Sequence, residues 1–73
     1  MALYTLTDIG NAYASQPSRG EPSDALRILY HARRHGGKIT TEEVRGFIVE
    51  DKFQAQRILN KLVNEVKALQ QIA

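Results

Sequence analysis

Apolar side chains recur along this chain mostly at three- and four-residue intervals. Ala25, Leu26, Ile28, Leu29 and Ala32 keep that spacing, which lays apolar groups along one side of a helix. Ser23 stands before them as an N-cap, Asp24 suits the positive helix end, and Gly36 and Gly37 stop the run. A helix over residues 24 to about 35 follows, with Arg27, Arg33 and Arg34 free to reach solvent. Thr40 and Glu43 have the spacing of a capping box. They predict a second helix from residue 41 to about 48 or 49 that buries Val44, Phe47 and Ile48. Asp51 and Gln54 repeat the start signal, and neither Gly nor Pro occurs from Lys52 onward. One long third helix is therefore expected to run to the end of the chain. In it Ala55, Leu59, Leu62, Val66, Leu69 and Ala73 alternate at spacings of four and three, a coiled-coil rhythm, and Phe53, Ile58, Val63 and Ile72 widen the stripe. The first half of this stripe is expected to pack on the two preceding helices. From Val66 the helix outruns them, so Leu69 and Ile72 need another partner, either the amino-terminal segment or a second copy of the chain.

Ahead of these helices the signals are shorter. Residues 2–7 suit a brief strand by their Tyr, Thr and Leu content. Thr7 can cap a small helix reaching Tyr13 or Ala14, which Gly10 weakens. Pro17, Gly20 and Pro22 make 15–23 a loop. Lys38 and Ile39 provide at most a two-residue extended bridge. The chain thus divides into residues 1–22, a short strand and helix with a Pro/Gly/Ser-rich linker, and residues 23–73, a helical domain. The expected fold class is mainly α, three helices with a long carboxy-terminal one.

Composition narrows the chemistry. The chain has 73 residues, 42% of them apolar, and no cysteine, so it forms one domain without disulfides or thiolate metal sites. A cytosolic protein is the simplest expectation. No apolar run approaches the roughly 18 to 20 residues that span a bilayer, and the first residues lack the pattern of a signal peptide. His31 and His35 stand one helical turn apart, a spacing that can hold a metal. A stable site asks for three or four ligands, and no HExxH pattern or cysteine completes a set, so both read as solvated or half-buried. No phosphate loop surrounds Gly36 and Gly37, and no nucleophile stands spaced with a base. Neither a cofactor nor enzymatic activity is expected. The net charge is only +2, yet its distribution is uneven. Arg27, Arg33, Arg34 and Lys38 cluster without an acid among them, and Lys52, Arg57, Lys61 and Lys67 repeat down the last segment.

Residues 39–63, ITTEEVRGFIVEDKFQAQRILNKLV, resemble the helix-turn-helix of the winged-helix superfamily of DNA-binding domains. There a short capped helix leads into a recognition helix with an apolar LxxL ending, matched by Leu59 and Leu62. With the upstream helix the resemblance covers residues 23–63. The chain departs from the pattern at Val49, where glycine is usual in the turn, and at Arg45 and Gly46, where the small residue is displaced. Asn64, Glu65 and Val66 replace the step that launches the wing, so the resemblance implies a reduced or missing wing. YTLTDIG, residues 4–10, is similar to the strand and LTxxG segment that follow the wing in such regulators. It would place an amino-terminal strand beside Lys38 and Ile39.

The resemblance implies a small regulator of transcription that binds double-stranded DNA. The third helix would offer Lys52, Gln54, Gln56, Arg57, Asn60 and Lys61 to base edges. Arg33, Arg34, Lys38, Thr40 and Arg45 would serve phosphates. The stripe of Leu62, Val66, Leu69 and Ile72 would join two copies, so that Leu69→Glu lowers both self-association and DNA affinity. The alternative is a protein-interaction module that docks the same edge into a partner's groove and binds no DNA.

Overall fold

Tyr4 and Leu6 alternate with Leu3 and Thr5 with the period of two that half-buries a strand. The computed structural model describes residues 2–48 and 50–73, without the side chains of Phe47 and Ile48. In it Leu3–Leu6 is strand β1, the centre of a three-stranded antiparallel sheet. β2, Lys38–Thr40, flanks it on one side with Ile39 opposite Tyr4. β3, Leu69–Gln71, flanks it on the other with Leu69 opposite Leu6. Tyr4, Ile39 and Leu69 are buried, and Leu6 packs against them.

The helices are α1, Asp8–Ser15; α2, Asp24–Arg34; α3, Thr41–Glu43, which widens into a π-helical turn over Val44–Ile48; and α4, Lys52–Asn64. Every N-cap that the sequence marked is made. Thr7 Oγ1 accepts from the Gly10 amide at 3.1 Å, and Ser23 Oγ accepts from Leu26 at 3.3 Å. Asp51 Oδ1 accepts from Phe53 at 2.8 Å and from Gln54 at 3.3 Å. The Thr40 and Glu43 capping box closes in both directions. Each cap stabilises its helix by about 1 kcal/mol. Gly36 and Gly37, with φ of 74° and 84°, turn the chain from α2 into β2 through backbone angles that a side chain disfavours. Ile28, Leu29 and Ala32 of α2 meet Ala55, Leu59 and Leu62 of α4 in one buried cluster with Val44 and the inward residues of the sheet. The expected burial of Val44 is observed. That of Phe47 and Ile48, and the turn at Val49, lie outside the described residues.

Two expectations are corrected. The fold is not mainly α but a small α/β domain in which the sheet closes one side of the helical core. Nor does the third helix run to the end, because α4 stops at Asn64. The stop comes from packing, not from a helix-breaking residue. Lys67 adopts a left-handed φ of 62°, the Ala68 amide donates to Leu62 O at 2.8 Å, and the chain then extends along β1. There Thr7 donates to Ala68 O at 3.1 Å and Ile72 to Leu3 O at 2.8 Å. A helical tail would leave that edge of β1 without these bonds, and backbone groups left unpaired away from water are costly. The coiled-coil spacing through Leu69 therefore yields to strand pairing. Of the two partners open to Leu69, the amino-terminal segment takes it. Left-handed geometry costs a non-glycine residue about 1 kcal/mol, so Lys67→Gly is expected to stabilise the domain by about that amount, read as a higher midpoint in thermal or urea unfolding.

Candidate nucleic-acid interface

Asp51 sets the phase of α4, and the phase sets its two faces. Ala55, Leu59 and Leu62 are buried. Phe53, Arg57, Asn60 and Asn64, spaced four, three and four, form the opposite side, and all are exposed. Gln56 and Lys61 border this face, with Lys52 and Gln54 further round at its start; all four are exposed. All six residues expected at base edges are therefore on the surface of α4. Gln56 Nε2 donates to Asn60 Oδ1 at 2.9 Å, which aligns two amides along the helix. Arg57, Asn60 and Lys61 line one shallow cleft with Asn64 and Glu65. No acidic residue occurs within Lys52–Asn64; the flanking acids are Asp51, committed to the cap, and Glu65. Among the described residues the ion pairs are Arg27 with Asp24 at 3.3 Å and His31 with Glu43, so the cations of α4 are not neutralised by either.

Two residues of this face were not among the expected contacts. Phe53, assigned to the apolar stripe, is 74% exposed, with Lys52 Nζ 5.6 Å from its ring centroid. Asn64 lies in line with Arg57 and Asn60. Counting helical phase from the Asp51 cap, and not from the apolar stripe alone, places both outside.

The expected phosphate contacts are less unified. Arg33, Arg34, Lys38 and Arg45 are exposed. Arg33 Nη1, however, donates to Ser15 Oγ of α1, and Arg33 and Arg34 line a cleft with Ala14 and Tyr30. This draws them to the α1 side of α2. Thr40 is part-buried, and its hydroxyl is occupied in the capping box, donating to Glu43 Oε1 at 3.1 Å.

The proposed interface stripe is split between elements. Leu62 and Leu69 are in the chain's own core, Val66 packs against it, and Ile72 is 47% exposed. Ile58, Leu62 and Val66 of this region instead line a groove of about 550 Å³ with Leu26, Leu29 and Tyr13.

His31 and His35 are not isolated. Their rings stack at 4.3 Å, and His31 Nε2–H donates to Glu43 Oε2 at 2.8 Å. Glu43 uses its other oxygen to accept from the Thr40 amide at 3.2 Å. Its carboxyl is held below the usual value, first by the His31 hydrogen bond and further by the bonds from Thr40, with burial opposing them.

Among the described residues no helix is long and apolar enough to cross a membrane. Comparison with protein-family models, with curated proteins and with solved structures found no match.

Proposed function

We propose that the protein is a small DNA-binding regulator of the cytoplasm, in which residues 41–64 act as a helix-turn-helix and α4 enters the major groove. One observation carries this reading. α4 presents Arg57, Asn60, Lys61 and Gln56 on an exposed face with no acidic residue of the helix on it and Glu65 at its carboxy-terminal end, while its other face is anchored in the core. Arg suits guanine edges, and Gln and Asn suit adenine. Phe53, exposed near the start of the helix, offers an apolar contact to a thymine methyl. The pairing of β1 with β2 agrees with the winged-helix likeness of YTLTDIG, with the amino-terminal strand standing where a wing strand would return.

The test is fluorescence anisotropy against duplex DNA at rising salt. Binding at low salt should weaken steeply, by a slope of about 0.9 per neutralised phosphate. Arg57→Ala is expected to cost about 1 to 3 kcal/mol of binding to a preferred duplex, with the thermal midpoint unchanged because the side chain is exposed. Absence of binding at low salt would overturn the reading.

The protein-interaction alternative is favoured by the groove beside Ile58, Leu62 and Val66, whose lining is mostly apolar and which a second copy or another protein could cover. Gln54 and Lys61 also line that groove. A homodimer through it would therefore withdraw those two side chains from DNA and leave Gln56, Arg57 and Asn60 to the base edges, with two-fold half-sites. Docking there by itself would be insensitive to salt and to Arg57→Ala, which separates the two readings.

A further inference from the structure

We propose that His31, His35 and Glu43 form a binding site for one divalent transition ion of the zinc class. His31 lies in the last turn of α2 and His35, four residues on, is the C-cap just past it, while Glu43 comes from α3 across the interface between the two elements. The potential ligand atoms of all three lie within 4.8 Å of one another. Two imidazoles and a carboxylate are the donor set that suits zinc and its neighbours, whereas magnesium and calcium take oxygen ligands.

In a tetrahedral site with bonds of about 2.0 to 2.2 Å, donor atoms stand roughly 3.4 Å apart. His31 and Glu43 are already closer than that, joined by a hydrogen bond of 2.8 Å. An ion replaces that bond: the His31 nitrogen presents its lone pair, and the ring keeps its proton on the other nitrogen. His35 is exposed and can swing in without disturbing the core.

Part of the site is preorganised. The Glu43 carboxylate is held from behind by the Thr40 amide and hydroxyl through Oε1, leaving Oε2 for His31 or an ion. The side chains of His31 and Glu43 are 26% and 32% exposed, so an ion could enter and water could fill the fourth position. Bound there, it would clamp the end of α2 to the capping box that starts α3. The proposal does not rest on DNA binding.

The experiment is thermal unfolding of the tag-free, chelator-treated chain with Zn2+ or Mg2+, beside Co2+ absorption spectroscopy for stoichiometry and coordination. Zn2+ at a hundredfold excess over its dissociation constant is expected to raise Tm by more than about 10 °C, with no change from Mg2+. Co2+ should give the visible bands of a four-coordinate site at one ion per chain. His35→Ala, at an exposed position, should fold as the parent does and lose metal affinity by more than about tenfold. Glu43→Gln keeps the capping geometry and should lose affinity likewise. No Zn2+ shift in the parent chain, a shift in either variant as large as the parent's, or one ion shared between two chains would overturn the three-ligand site.

Discussion

Gly10→Ala is expected to lower the stability of this domain by about 2 to 3 kcal/mol, although the residue lies in a helix where alanine is ordinarily the better choice by about 1 kcal/mol. The two effects oppose each other, and geometry selects the winner. A Cβ at Gly10 would stand 2.1 Å from the carbonyl oxygen of Ala68 and 3.0 Å from Leu6 Cδ2. The Leu6 methyl could move. The Ala68 oxygen could not move without loss, because it accepts from the Thr7 amide, and Leu69 next to it enters β3. Relief would require shifting α1 away from the strand that closes the sheet. A 73-residue domain has roughly 4 to 11 kcal/mol of stability in all, so the loss should appear as a fall in Tm of roughly 10 to 20 °C. Gly46→Ala is the control. Among the described residues nothing lies within 4 Å of a Cβ there, so its midpoint should hold or rise. Equal behaviour of the two variants in thermal circular dichroism would show that α1 does not press on the 68–69 backbone.

The same contact explains which parts of the fold were legible in the sequence. Local chemistry was readable: Thr7, Ser23, Thr40 and Asp51 each mark a helix start that forms, because a cap depends on residues only two or three positions away. The two glycines after α2 were readable for the same reason. The carboxy-terminal strand was not. Leu62, Val66 and Leu69 continue a helical rhythm, and the reason to abandon it is an edge of β1 more than sixty residues upstream. Gly10, read locally, weakens a helix; read in three dimensions, it lets that helix touch the Ala68 backbone. The candidate interface divides along the same line. The polar face of α4 followed from periodicity, whereas the approach of Glu43 to His31, twelve residues apart, needed the packing of α3 on α2. That packing supplies the third ligand whose absence from the sequence pattern had argued against a metal.

Leu69→Glu is expected to unfold the domain at 25 °C, an outcome different in kind from the lowered self-association and DNA affinity of a folded chain that a helical seam implied. Leu69 is 2% exposed, in one cluster with Tyr4, Ile39 and Leu62. Removing a buried leucine side chain costs about 2 to 5 kcal/mol, and placing a carboxylate in the space adds the cost of a buried group with no partner. The sum rivals the whole stability of a domain this size. DNA affinity and any self-association would then disappear together because β3 has left the sheet, so the variant reports on folding and cannot report on an interface. Ile72→Glu makes the distinction. Its side chain is 47% exposed, and its amide bond to Leu3 O survives the substitution, so the fold should persist. Far-UV circular dichroism with sedimentation velocity on both variants separates the cases. A folded Leu69→Glu chain that merely lost self-association would mean that β3 does not close this core and would restore the helical seam. An unfolded one beside a folded Ile72→Glu chain would leave the groove at Ile58, Leu62 and Val66 as the surface on which a second copy must be sought.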